Sequence, residues 1–163
     1  MPIKVLLADG SEAMRPAIVR VLKEEPLIDL VGEATSFAET LQLTAALKPD
    51  VLLMDLHMHD EREYVPELVK SQVLLNTTCI LAMSVWNDAD AKALAESFGA
   101  KSLLDKNNLF SELIPAITQF CPDVTIPKIA NSVREMLKQA SDPAVQSQSA
   151  DSALPQRTLS SKR

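Results

Sequence analysis

Short apolar runs alternate along the chain with segments whose apolar residues recur at helical spacing. Ile3-Lys4-Val5-Leu6-Leu7-Ala8 has the length of a strand and is closed by the turn-forming Asp9-Gly10-Ser11. Ser11 then fits an N-cap, and Met14, Ala17, Ile18, Val21 and Leu22 recur at i, i+3, i+4, predicting a helix. Pro16 falls near the first turn of that helix, where its missing N–H matters little. Ile28–Ala34 reads as a second strand, and Phe37, Leu41 and Ala45 mark a second helix broken by Lys48-Pro49-Asp50. Val51-Leu52-Leu53-Met54 is apolar at every position, as expected of a strand covered on both faces. Val65, Leu68 and Val69 predict a third helix and residues 79–83 a fourth strand. Ala91, Leu94, Ala95 and Phe98 form a helix ended by Gly99 in the C′ role. Residues 101–104 make a short fifth strand, and Leu109, Leu113, Ile114 and Ile117 a last helix.

Strands alternating with helices in this way predict an α/β fold, a parallel sheet between two helix layers. In such sheets the site lies outside the carboxyl ends of the strands. There the first strand ends at Asp9, the third at Asp55 and the fourth at Ser84, with Lys106 just past the fifth. Two carboxylates, a hydroxyl and an ammonium thus converge on one crevice. The ammonium neutralises developing negative charge, the hydroxyl donates a hydrogen bond, and the acids hold a divalent cation. That set fits an anionic ligand or a transferring phosphoryl group, with Asp55 as a possible nucleophile. The plainer alternative makes Asp9 and Asp55 turn caps and Lys106 a solvated charge.

Composition narrows the class. The 163 residues are 47% apolar and 23% charged, which excludes a wholly disordered chain. A chain of this length buries enough apolar surface to fold without disulfides or a structural metal. No apolar run approaches the roughly 18–20 residues of a membrane span, and Met-Pro-Ile-Lys-Val does not read as a signal peptide. Cys79 and Cys121 read as two isolated thiols, suited to a reducing cytoplasm and giving no disulfide framework. The net charge of −6 argues against broad binding to nucleic acid or an anionic membrane.

Charge also divides the chain. Residues 1–121 carry 10 Lys/Arg against 18 Asp/Glu, and residues 122–163 carry 6 against 4. The expected organisation is a domain over 1–123, an amphipathic helix over 124–140 and a flexible Ser-Gln-Ala-Asp-Pro-rich tail over 141–163. Ile126, Ile129, Ala130, Val133, Leu137 and Ala140 form one stripe of that helix, which either packs on the domain or offers a homodimer or partner face.

Val5-Leu6-Leu7-Ala8-Asp9 with Met14-Arg15, then Val31-Gly32-Glu33-Ala34, then residues 49–58 (Pro-Asp-Val-Leu-Leu-Met-Asp-Leu-His-Met) stand in order, followed by Gly99-Ala100-Lys101-Ser102-Leu103-Leu104-Asp105-Lys106. The set resembles a bacterial response-regulator receiver domain over about residues 3–121. The resemblance implies a flavodoxin-like doubly wound sheet of strand order 2-1-3-4-5. It implies that Asp55 accepts phosphate from a histidine kinase or phosphotransfer protein with Mg²⁺ present, the metal held by Asp9, Asp55 and the backbone carbonyl of His57. Ser84 matches the family's hydroxyl switch residue and Lys106 its lysine. Output would pass by contacts with an unidentified downstream protein, including the faces of the fourth and fifth helices. No direct DNA binding is expected, because the residues after the receiver are too few for a packed helix-turn-helix module. No membrane association is expected either, because no apolar run is long enough to span and the net charge is negative.

The departures from the pattern bear on function. Gly10 stands where the family has a second metal-binding acid, which should weaken Mg²⁺. Leu103 replaces the aromatic switch partner, His59 replaces a proline, Glu63 a loop glycine, and Asn107 the proline after the lysine. His57 and Trp86 each lie two residues past a site residue and are placed to shield a phosphoryl group or to block its donor; the alternative is that both point elsewhere. Gly10 and Leu103 leave open a degenerate receiver that acts without phosphate. A phosphohydrolase using Asp55 is a further rival, with Glu12 and His57 as its candidate acid or base. His57, His59 and Asp60 also suggest a transition-metal site, although a third protein ligand would have to be another carboxylate.

Overall fold

The computed structural model describes residues 2–77, 79–121 and 133–139. Strands and helices alternate as β1 (Ile3–Ala8), α1 (Arg15–Glu24), β2 (Ile28–Ala34), α2 (Phe37–Leu47) and β3 (Val51–Asp55). They continue as α3 (Pro66–Leu74), β4 (Cys79–Ser84), α4 (Ala89–Ser97), β5 (Ser102–Asp105) and α5 (Leu109–Phe120), with a 3₁₀ turn at Glu61–Glu63. Every strand pair is parallel and the order is β2-β1-β3-β4-β5. This is the doubly wound, flavodoxin-like arrangement.

Period-two alternation along each strand sorts the core into two layers. Val5, Leu7, Val51, Leu53, Leu81 and Met83 face α1 and α5, where Ile18, Leu22, Leu109, Leu113 and Ile117 meet them. Leu6, Leu52, Met54, Ile80 and Ala82 face the other way, against Phe37, Val69, Val73 and Ala95 of α2, α3 and α4. Each fully buried Leu or Ile side chain contributes about 2 kcal/mol of transfer free energy. The all-apolar runs of β3 and β4 are therefore explained by helices on both sides.

Local signals hold with instructive exceptions. Ser36 caps α2, its hydroxyl accepting from the Glu39 N–H at 3.1 Å. Gly99 takes φ +77° after α4, the left-handed C′ conformation that glycine enters without a Cβ penalty. Ser11 is not the N-cap of α1; Met14 holds that place without a side-chain bond. The Ser11 N–H is held by Asp9 Oδ1 at 2.7 Å, so Ser11 belongs to the site loop and its hydroxyl accepts from the Met14 N–H instead. At α3, the N-cap Val65 and Leu68 of the first turn are exposed, and the packed face is Val69 and Val73 at i, i+4.

The cysteines correct the reading of two isolated thiols. Cys79 opens β4, Cys121 is the C-cap of α5, and they form a disulfide across 5.8 Å between Cα atoms. A separation of 42 residues hides this pairing from spacing rules. It arises because α5 runs back over the sheet to the amino end of the strands. Residues 133–139 are helical with exposed side chains, Val133 and Leu137 among them. Ile126, Ile129, Ala130, Ala140 and the tail 141–163 lie outside the described residues.

Candidate functional site

The carboxyl ends of β1, β3, β4 and β5 bring the four expected side chains together. Asp9 follows β1 directly, Asp55 ends β3, Ser84 ends β4, and Lys106 follows β5. All four are buried, Asp9 completely and Lys106 to within 6%. The parallel ladder sets the spacing, because Ala8 pairs with Met54, Asp55 with Met83, and Ser84 with Asp105.

Lys106 is the hub. Its ammonium donates to Asp55 Oδ2 at 2.7 Å and lies 2.9 Å from Asp9 Oδ2. The plainer alternative, that Asp9 and Asp55 are turn caps, holds only in part. Asp9 Oδ1 accepts from the Ser11 N–H and Asp55 Oδ1 from the His57 N–H at 3.0 Å, while the second oxygen of each faces the lysine. Burial pushes the Asp55 carboxyl above the ordinary aspartate range, opposed by the hydrogen bond and charge of Lys106. Two carboxylates and one ammonium leave the cluster short of positive charge.

That deficit bears on the Mg²⁺ that the resemblance implies. Asp9 Oδ2 is buried and, despite the nearby ammonium, receives no hydrogen bond. An oxygen so placed, beside a second carboxylate, fits a cation that takes one or two carboxylates and keeps several waters. Gly10 adds no ligand. A Cβ built there would lie 3.3 Å from the Thr35 carbonyl and 3.9 Å from Met58, and the backbone is outside the left-handed region. The residue is therefore replaceable with a small shift, and it lines a cleft of about 690 Å³ together with Asp55, His57, His59 and Arg62.

Two loops close the opposite side. Trp86 and His57 meet edge to face, 4.8 Å between ring centres at 89°. Each is tied to a site residue, since the Trp86 N–H donates to Ser84 Oγ at 3.0 Å and the His57 N–H to Asp55. His57 Nδ1 is also 3.0 Å from Glu61. The transition-metal arrangement does not form: among the described residues no three His, Cys, Asp or Glu side chains group to hold a metal. Asp60 instead turns inward and accepts from the Phe37 and Ala38 N–H groups at 2.9 and 3.1 Å, capping α2 from the β3–α3 loop. Arg15, which sequence reasoning gave no task, donates to the Asp9 carbonyl at 2.9 Å and steadies the β1–α1 loop. Neither contact had a local signal, because Asp60 lies 23 residues from its partner and Arg15 bonds main chain.

Comparison with known proteins agrees with this geometry. The model of the response regulator receiver domain matches residues 5–118. The response regulator protein VraR of Staphylococcus saprophyticus is 35% identical over 118 residues, which are 72% of this chain and 56% of that protein. A protein-glutamate methylesterase/protein-glutamine glutaminase of Anaeromyxobacter dehalogenans is 32% identical over 113 residues, 69% of this chain and 32% of that protein. The chain thus spans from a third to about half the length of these curated relatives. Among solved structures, the signal receiver domain of the putative response regulator NarL from Mycobacterium tuberculosis superposes with a TM-score of 0.63 at 27% identity, covering 72% of this chain and 94% of that one. With the four strand-end residues in place and the match running through most of the sheet, the chain belongs to the response regulator receiver domain family, the receivers of two-component signalling.

Proposed function

We propose that Asp55 is the phosphoacceptor, taking a phosphoryl group from the phosphohistidine of a histidine kinase or phosphotransfer protein. The observation that carries this reading is the buried Lys106 ammonium bridging Asp55 and Asp9 at the carboxyl end of the sheet. An Asp55 oxygen attacks phosphorus, the P–N bond breaks, and the imidazole leaves with the electron pair. The hydrogen bonds from the His57 N–H and Lys106 hold the carboxylate ionised and aimed, against the burial that favours its neutral form. Lys106 stabilises charge on the phosphoryl oxygens. Ser84 Oγ accepts from the Trp86 N–H and so keeps its own proton to donate to the transferred group.

Bound Mg²⁺ supplies charge neutralisation at the phosphoryl oxygens. Asp9, Asp55 and the backbone carbonyl of His57 are the groups that would hold it, and Gly10 in place of a second acid weakens it. His57 and Trp86 wall the site from water on the β4 side. The chain acts as a phosphoacceptor that assists its own phosphorylation, not as an enzyme with turnover, and signals by protein contacts. The acid excess of residues 1–121 supports a protein partner over DNA. Among the described residues no helix is long and apolar enough to cross a membrane, which accords with a place in the cytoplasm.

Intact-protein mass after incubation with a small acyl phosphate and Mg²⁺ tests the reading, beside Asp55→Asn and Gly10→Asp. One added phosphoryl group on the wild type, absent from Asp55→Asn, is expected, with a faster gain in Gly10→Asp. A wild type that stays unmodified when offered a phosphorylated kinase as well would overturn it.

A further inference from the structure

We propose that Cys79 and Cys121 are a redox-responsive clamp that sets how firmly the end of α5 is held. The proposal concerns the amino end of the sheet and does not rest on phosphorylation of Asp55. These are the two cysteines of the chain, so the pair closes on itself with no competing thiol. Cys79 is the first residue of β4 and is anchored in the sheet, its N–H bonded to the Asp50 carbonyl at 3.1 Å. Cys121 is where the chain leaves α5, held by an N–H bond to Ile117 at 3.2 Å.

Two features make the α5 end the moving half. Pro115 lies inside α5 and removes one N–H from the helical ladder, so the turns after it are joined less firmly to those before. Thr118 and Gln119 in the last turn are exposed, and Phe120 is half-buried. Both cysteines are buried, at 2% and 3% exposure, so exchange requires this last turn to open. Opening it exposes Cys121 while Cys79 stays in its strand. A disulfide inside a domain of a cytoplasmic signalling family is more often redox-sensing than permanent, because the compartment keeps thiols reduced.

The exchange balances with a low-molecular-weight disulfide such as oxidised glutathione. The Cys121 thiolate attacks one glutathione sulfur and releases the other half as thiolate. The Cys79 thiolate then attacks Cys121 of the mixed disulfide and expels the second half. Both protein thiols are deprotonated and together lose two electrons, which reduce one glutathione disulfide to two glutathione thiols. Oxidation pins the exit of α5 to β4, and reduction lets the last turn fray.

The test equilibrates the full chain in glutathione buffers of graded ratio, traps thiols with iodoacetamide and reads the intact mass. Amide exchange is followed in the same samples. A smooth change from two trapped thiols to none across those ratios is expected, with exchange in residues 116–121 at least roughly tenfold faster in the reduced form and unchanged in β1. Cys121→Ser should match the reduced form; if it does not fold, reduced wild type serves in its place. A disulfide that persists in the most reducing buffer, thiols that never pair, or equal exchange in both forms overturns the proposal.

Discussion

The two ends of the sheet are buried alike and built from opposite chemistry. At the amino end Ile3, Cys79, Ile117 and Cys121 are 3% exposed or less and meet through apolar packing and a covalent bond. At the carboxyl end Asp9, Asp55, Ser84 and Lys106 are buried almost as fully, yet three of them carry charge and one carboxylate oxygen lacks a hydrogen bond. Removing water from apolar groups stabilises a fold, whereas removing it from ions costs several kcal/mol per ion before pairing offsets it. β4 joins the ends, opening at Cys79 and closing at Ser84. The comparison teaches that stability resides at one end of this strand and the proposed reactivity at the other, and that changes at each should be separable.

The largest expected effect on stability comes from the apolar end. Cross-linking across 42 residues restricts the unfolded chain, so Cys121→Ala should lose about 3–4 kcal/mol in denaturant under non-reducing conditions. Phosphorylation of Asp55 should survive wherever the variant is folded. A variant as stable as the wild type would show that packing alone secures the α5 end. Next comes Lys106→Met, which leaves Asp9 and Asp55 facing each other without a cation. It should cost about 3 kcal/mol at neutral pH and abolish phosphoryl transfer. Burial already raises the Asp55 carboxyl and Lys106 is what opposes it, so without the lysine the native form binds more protons and the lost stability should return as pH falls. A loss that is flat with pH would mean that the two carboxylates do not sense each other.

How much of this was legible in the sequence differs between the two ends. Asp9, Asp55, Ser84 and Lys106 could be placed together because each terminates a strand, and strand ends in a parallel sheet share one edge. The bridging geometry of Lys106 could not, since it depends on a rotamer chosen among two carboxylates and a hydroxyl. Cys79 and Cys121 read from the sequence only as two isolated thiols. Their pairing depends on where α5 lands after crossing the sheet, which no local pattern encodes. Asp60 escaped for the same reason: its carboxylate caps α2, a helix that precedes it by more than twenty residues. Val65 and Leu68 misled because apolar spacing on α3 continues onto its exposed face.

A smaller effect separates charge from packing at the reactive end. Asp55→Asn removes one of two buried like charges and leaves Asp9 paired with Lys106. It should raise stability at neutral pH by about 1 kcal/mol, the low end for relieving a buried ion. The sign follows from burial, which raises the Asp55 carboxyl above its unfolded value. A raised acid makes wild-type stability fall as pH rises from the ordinary aspartate range through that folded value. Asp55→Asn should lack this fall, and denaturant midpoints across acid pH would reveal it. A destabilised Asn variant would show that the ion pair outweighs its desolvation.

The smallest effect concerns the wall over the site. Trp86 is 55% exposed, so Trp86→Ala should change stability by no more than about 0.5 kcal/mol. Its ring nonetheless meets His57 across the crevice, and its backbone N–H, which the variant retains, still holds Ser84. The variant therefore removes the wall while keeping the hydroxyl in place. Water should reach the acyl phosphate more readily, shortening its lifetime about fivefold, equivalent to ~1 kcal/mol of barrier. The rate of phosphorylation by a small acyl phosphate should rise or stay level, since the donor loses an obstacle. Loss of label followed by intact mass in wild type and variant would decide between the two roles considered for this pair. Faster loss with unchanged gain identifies a water shield, and faster gain with unchanged loss a barrier to the donor. If both rates stay at the wild-type values, the contact between the rings serves neither purpose, and access to Asp55 is governed from the Gly10 side alone.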